Sequence, residues 1–326
     1  MERNDDNPRG DSPGKIRIGI SACLLGKKVR YDGGHKQDPY VTDTLGQFFD
    51  YVPVCPEVEY GLSVPREPMH LAGSVEDPRL VTIHTGVDHT AGMKEWAAEK
   101  LDELAQQGLS GYIFKTKSPS SGMRAVKVYM GSGPPVHRGV GIFAAAFMKR
   151  FPLIPVEDEG RLHDPGLREN FIERVFVFER WRRFTDNKPS LGGLVDFHTR
   201  HKLLVMAHSP KHLSALGRLV GNAKGYGQDL SNAYIETLME GLRLIATSRK
   251  NTNVLHHITG YFKKDLSSDE KEELLEVIEW YRRALIPLVV PVTLLNHYVR
   301  RYDKPYLNGQ YFLNPHPVEL MLRNHV

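Results

Sequence analysis

Apolar and polar positions along this 326-residue chain follow two different patterns. In the first half, short apolar runs alternate with longer helical repeats. Ile16-Arg17-Ile18-Gly19-Ile20-Ser21 alternates apolar with small or polar residues and is rich in β-branched side chains, so it predicts a strand. Phe49 to Val54 predicts a second strand, Gly111 to Lys115 a third and Leu153 to Val156 a last. Between them, Met93, Trp96, Ala97, Leu101 and Leu104 recur near helical spacing over 91–107, ahead of Gly108 as a cap. A further helix is predicted over 139–151. Strands alternating with helices specify an α/β domain with an open, mostly parallel, Rossmann-like sheet.

From Asp164 the pattern turns helical throughout. Helices are predicted over 164–184, 192–206, 210–220, 230–244, 252–262, 267–288 and 291–301. Ser267-Ser268-Asp269-Glu270 supplies a cap and early negative charge for the sixth of these. The expected organisation is a solvated tail over 1–14, an α/β domain over 15–158 and an all-α domain over 161–326.

Composition narrows the class. The chain is 40% hydrophobic and 25% charged, as soluble globular proteins are. No apolar run approaches the ~18 residues of a spanning helix; the longest, Leu285 to Leu295, is broken by Pro287 and Pro291. The first fourteen residues lack the apolar stretch of a signal peptide. Cys23 and Cys55 are the two cysteines of the whole chain, which is no secreted disulfide framework, so a cytoplasmic location is expected. Charge is uneven: residues 161–326 hold 24 Lys+Arg against 18 Asp+Glu and ten of the fifteen histidines. That bias points the second half toward a polyanion.

Three turns that follow predicted strands carry unusual residues: Cys23, Cys55 with Glu57, and the Ser118–Gly122 loop. Ligands of open parallel sheets bind at the carboxyl ends of strands, so three such turns can meet at one place. Their spacings are too long for a zinc finger or ribbon. A free cysteine after a strand also reads as a small buried hydrophobe, but the polar, Gly-rich neighbours Pro56-Glu57 and Arg30-Tyr31-Asp32-Gly33-Gly34-His35 favour a site. Asp32 and His35 are candidates for substrate contact, although Tyr-Asp-Gly-Gly also reads as a tight turn.

In this order, SACLLGKKVRYDGGHK, CPEVEYGLSVPRE and KTKSPSSG resemble the thiouracil desulfidase family. The second half, with FHTRHKLLVMAHSP, NVLHHITGYFKK and ELMLRNHV, resembles the helical domain fused to it in tRNA 4-thiouridine desulfidases. The resemblance implies a 4Fe-4S cluster held by three cysteines, with one iron open to the exocyclic sulfur of a thiocarbonyl base. Its ligand positions fall on Cys23, Cys55 and Ser121. The last is cysteine in the family pattern, a ligand either lost naturally or exchanged deliberately. A serine hydroxyl is a hard, weakly acidic donor, poorly matched to iron in a sulfide cluster. The resemblance also assigns active roles to Glu57, as general acid or base, and to Ser118, as a hydrogen-bonding group.

The implied reaction converts 4-thiouridine in tRNA to uridine with release of sulfide. Free thiouracil or a thionucleoside is an alternative substrate, and a non-catalytic tRNA-binding protein is an alternative of another class. For tRNA phosphates the candidates are Arg200, Lys202, Arg249, Lys250, Lys263 and Lys264, with Tyr261, Phe262 and Tyr298 as candidate stacking partners. The same residues also suit solvated helix faces and a core. His198, His201, His256 and His257 read as ordinary helix histidines.

Overall fold

The computed structural model describes residues 15–131 and 133–325; the expected tail lies outside them. The chain divides into two compact units, with the boundary between Asp164 and Pro165.

The first unit has two sheets. Strands β1 (Ile16–Ser21), β2 (Phe49–Val54), β5 (Gly111–Phe114) and β8 (Val156–Asp158) form an all-parallel sheet in the order β2-β1-β5-β8. The alternation of apolar runs predicts the first three of these strands, whereas the last lies further on: Leu153 and Ile154 fall in a turn, where Ile154 N donates to the Phe151 carbonyl, and pairing begins only at Val156. Ile18, Ile20, Tyr112, Ile113 and Phe114 are fully buried, as strands covered on both faces require.

The second sheet has no counterpart in the sequence reading. Strands β3 (Met69–Gly73), β4 (Pro78–Thr82), β6 (Val126–Tyr129) and β7 (Val136–Gly139) run in the order β4-β3-β6-β7. Pairs β3/β4 and β6/β7 are antiparallel hairpins, joined by a parallel β3/β6 contact. Of these strands, β7 takes the start of the segment expected to be helical, and the helix α3 begins only at Ile142. Helices α2 (Thr90–Ala105) and α3 (Ile142–Arg150) pack Ala97, Leu101, Leu104, Phe143 and Phe147 on the parallel sheet. Met93 and Ile142 reach the second sheet through Leu71, Leu80, Val126 and Val128. A single helical turn, α1 (Pro56–Glu59), follows β2.

The second unit is helical, as its 3.6-residue pattern requires. It comprises α4 (Pro165–Asp186), α5 (Leu191–His208), α6 (Pro210–Asn222), α7 (Gln228–Arg243), α8 (Ser248–Thr259), α9 (Ser268–Arg282), α10 (Val289–Arg301) and the short α11 (Pro305–Asn308). The expected cap is present as a full capping box: Ser267 Oγ accepts from Glu270 N, and Glu270 returns the bond to Ser267 N. In its core, Glu169 and Glu173 of α4 hold Arg323 at 3.1 and 2.8 Å, and Glu173 also meets His208 at 3.1 Å. No described helix is long and apolar enough to cross a membrane.

Candidate active site

Each loop of the candidate site is fixed by backbone bonds at a strand end. After β1, the chain makes a short helical turn over Ala22–Leu25, and the Cys23 carbonyl accepts from Gly26 N at 3.3 Å and Lys36 N at 2.9 Å. After β2, Cys55 caps α1, with Pro56 at the first helical position, where its missing N–H costs nothing. The Cys55 N–H donates to Glu59 Oε1 at 2.7 Å. Glu57 therefore stands in the first turn of a helix whose start is locked.

The third loop, Ser118–Gly122, is held by the start of α3. The Pro119 carbonyl accepts from Ile142 N, and the Ser120 carbonyl from Phe143 N and Ala144 N, at 3.0–3.2 Å. Orphan donors of a helix start are thereby satisfied by the loop they position. Two glycines make this approach feasible. A Cβ at Gly122 would lie 2.6 Å from the Ser118 carbonyl oxygen, and one at Gly141 would lie 2.5 Å from that of Ser120.

The three loops line one cavity of about 320 Å³. Cys23, Cys55, Glu57, Ser118 and Ser121 all face it, together with Arg30, Tyr31, Lys36, Arg66, Lys115 and Lys117. Ser120, fully buried, donates to Glu57 Oε1 at 2.6 Å and lies 3.1 Å from Ser118 Oγ. Ser118 Oγ accepts from Ser121 N at 3.1 Å. The other carboxylate oxygen of Glu57 lies 3.6 Å from Cys55 Sγ and 3.7 Å from Arg66. Burial pushes the Cys23 thiol up to about 11, with the Lys115 charge pulling against it. Burial and then the Glu57 charge push Cys55 up to about 12. Burial thus favours the protonated thiol at both positions.

Such a donor set does not fit a cluster held by three thiolates. Two thiols and the Ser121 hydroxyl, 3% exposed, face the cavity, and the chain has no third cysteine. Among the described residues, no group of three His, Cys, Asp or Glu could hold a metal ion.

Asp32 and His35 do not line the cavity. Asp32 accepts from Gly34 N at 3.0 Å and from Arg30, and His35 accepts from Gln37 N, which is the tight-turn alternative. Of the phosphate candidates, Lys250 is committed elsewhere: its Nζ donates to the carbonyls of His208 and Ile245, where α5 and α7 have ended. Arg200 pairs with Asp196 at 3.0 Å. Lys202 is half-buried, and Arg249, Lys263 and Lys264 are exposed. Phe262 and Tyr298 belong to the core, whereas Tyr261 is 41% exposed and stacks on Tyr306. His198 and His201 are buried, bonded to Tyr234 and to the Phe197 carbonyl; His256 and His257 are exposed.

Sequence reasoning gave no role to four cavity cations, Lys36, Arg66, Lys115 and Lys117, all of which lie inside the motifs it quoted. Their signal was their place in those motifs, with no spacing of their own.

Fold and cavity together define a two-domain protein whose parallel α/β unit carries a site of thiols, hydroxyls and one carboxylate at its strand ends. Residues 18–159 match the family model described as 2-thiouracil desulfurase, and residues 202–317 match a protein family of unknown function, DUF1722. The chain belongs to the 2-thiouracil desulfurase family through its first unit and carries a DUF1722 domain as its second. Over 158 residues it is 32% identical to the uncharacterized protein YbgA of Escherichia coli (strain K12), spanning 48% of this chain and 94% of that protein. Over 131 residues it is 30% identical to the uncharacterized protein YbbK of Bacillus subtilis (strain 168), spanning 39% and 85%. A solved structure described as a 4Fe-4S-dependent thiouracil desulfidase, TudS, is 33% identical, spans 46% of this chain and 95% of that one, and superposes with a TM-score of 0.39.

Proposed function

We propose that this protein removes sulfur from a thio-substituted uracil, and that 4-thiouridine within tRNA is the substrate. The observation that carries the reading is the meeting of Cys23, Cys55, Glu57, Ser118 and Ser121 on one cavity wall from three distant loops. The net reaction is a hydrolysis. Water's oxygen replaces sulfur on the ring carbon, water's two protons leave with the sulfur as hydrogen sulfide, and no oxidant or reductant is consumed. Glu57 is the group able to take a proton from the adding water, and Ser118 presents a hydroxyl to the base.

The cofactor named for the solved relative would meet a mismatch here, since Ser121 supplies an oxygen where a thiolate is needed. That mismatch favours a second reading, a tRNA-binding protein that has lost the reaction. The helical unit supports tRNA in both readings through its positive excess and the exposed Arg249, Lys263 and Lys264.

The deciding experiment is anaerobic reconstitution of the chain and of Ser121→Cys with iron and sulfide. Metal content and sulfide release from thiolated tRNA, 4-thiouridine and thiouracil are then measured. The variant is expected to take up a full cluster's iron and to act on tRNA fastest. Loss of sulfur from none of the three substrates would end the desulfidase reading. Salt-sensitive tRNA binding without turnover would leave the second. Faster turnover of free base than of tRNA would replace the substrate.

A further inference from the structure

Lys115 follows the last residue of β5 and lines the cavity. Its backbone N–H donates to Ser21 Oγ at 2.9 Å, tying the end of β5 to the end of β1 two residues before Cys23. Its side chain is 17% exposed. The ammonium donates to Glu159 Oε1 and to the Thr116 carbonyl at 3.2 Å. Glu159 is itself held on two sides, accepting from Thr116 N at 2.7 Å and donating its own N–H to the Phe114 carbonyl at 3.3 Å. An ammonium has three donors. Two are accounted for by protein oxygens, and the residue lines the cavity.

The other cations of the cavity differ. Arg66 is spread over Glu57 and the carbonyls of Val29 and Ser63, Arg30 is turned to Asp32, and Lys36 and Lys117 are exposed at the rim. Lys115 alone among these lysines combines a fixed, largely buried position with a donor left for a ligand. It shares the cavity wall with Cys23, two residues beyond the Ser21 hydroxyl that its backbone holds.

We propose that Lys115 is a catalytic residue whose third N–H donates to the exocyclic sulfur of the bound thiocarbonyl base, with Glu159 as the positioning residue that aims it. As water adds to the ring carbon, the C=S electron pair moves onto sulfur. A charge-assisted donor already in place stabilises that developing charge more than it stabilises the neutral thiocarbonyl. The C–S bond then breaks with both water protons on the departing sulfide, and Lys115 keeps its own. The proposal rests on the cavity being the seat of the thio-base, and the test separates the two.

The near-ultraviolet band of 4-thiouridine reports hydrogen bonding at its sulfur, so it can be read on the intact, unaltered chain without turnover. The native chain is expected to shift this band on binding. Lys115→Met should return the band toward its position in the unbound ligand and weaken binding roughly tenfold or more, the loss of one charged hydrogen bond. Glu159→Gln should leave binding measurable with a reduced shift. Thermal unfolding of each variant checks that the fold persists. If the native chain binds no 4-thiouridine at all, the cavity is not the seat of the thio-base and the desulfidase reading fails; if it binds the ligand and leaves the band unmoved at saturation, no donor meets the sulfur and this proposal alone is overturned. If the native chain shifts the band and Lys115→Met shifts it equally, Lys115 is only a structural pin for Glu159, and the proposal alone is overturned.

Discussion

At the scale of single residues, the site is a chain of short polar contacts from Cys55 through Glu57 and Ser120 to Ser118. Among the described residues Glu57 is the one carboxylate lining the cavity, so Glu57→Gln keeps shape and removes the proposed general base. In a reconstituted Ser121→Cys background this change should lower kcat on 4-thiouridine by about 10²–10⁴-fold, the usual worth of a general acid or base, with KM little changed. An unchanged kcat in a sulfide-release assay would take Glu57 out of the mechanism. Cys23, Cys55, Glu57 and Ser118 could be named from the sequence because they sit in compact motifs. Lys115 and Ser120 could not, because their importance lies in which neighbours they touch. Asp32 shows the converse ambiguity: a Tyr-Asp-Gly-Gly string suits a binding loop as well as a turn, and here Asp32 accepts from Gly34 N and does not line the cavity.

At the scale of elements, the parallel sheet and the long helices were legible, since period 2 and period 3.6 are properties of local sequence. The β4-β3-β6-β7 sheet was not. Its strands are four or five residues long and, apart from the parallel β3/β6 contact, pair through hairpins, and β6 and β7 sit in a stretch of glycine and proline that reads as loop. The Ser118–Gly122 turn and α3 act as one element, so a side chain at Gly122 should disturb both. Gly122→Ala is expected to cost about 1–3 kcal/mol in urea unfolding, as overpacking does, and to open the cavity wall. In the helical unit, burial and the nearby Glu173 charge push Glu169 up, while His208 and Arg323 outweigh burial and hold Glu173 well below the usual carboxylate range. Removing the shared cation by Arg323→Met strands two buried carboxylates. It should cost about 3–5 kcal/mol, read from the urea midpoint. A loss under 1 kcal/mol would mean that the carboxylates simply protonate.

At the scale of the whole molecule, the fusion is the feature to explain. Hydrolysis of a free thio-base needs only the first unit's cavity, whereas a tRNA substrate brings dozens of phosphates that a basic helical surface can hold without reading sequence. Lys263 and Lys264 offer the clearest test, since they are exposed, adjacent and just past the short turn that follows α8, where the preceding Phe262 is the buried residue. Charge reversal at both positions should weaken tRNA binding more at low salt than at high salt. It should also lower the slope of log affinity against log salt by roughly 1–2, because each lost phosphate contact removes somewhat under one released counterion. Binding of 4-thiouridine as a free nucleoside should not change. An unchanged salt slope would place the RNA on another face of the helical unit. A parallel loss of nucleoside binding would instead mean that the substitutions had damaged the fold rather than an RNA contact.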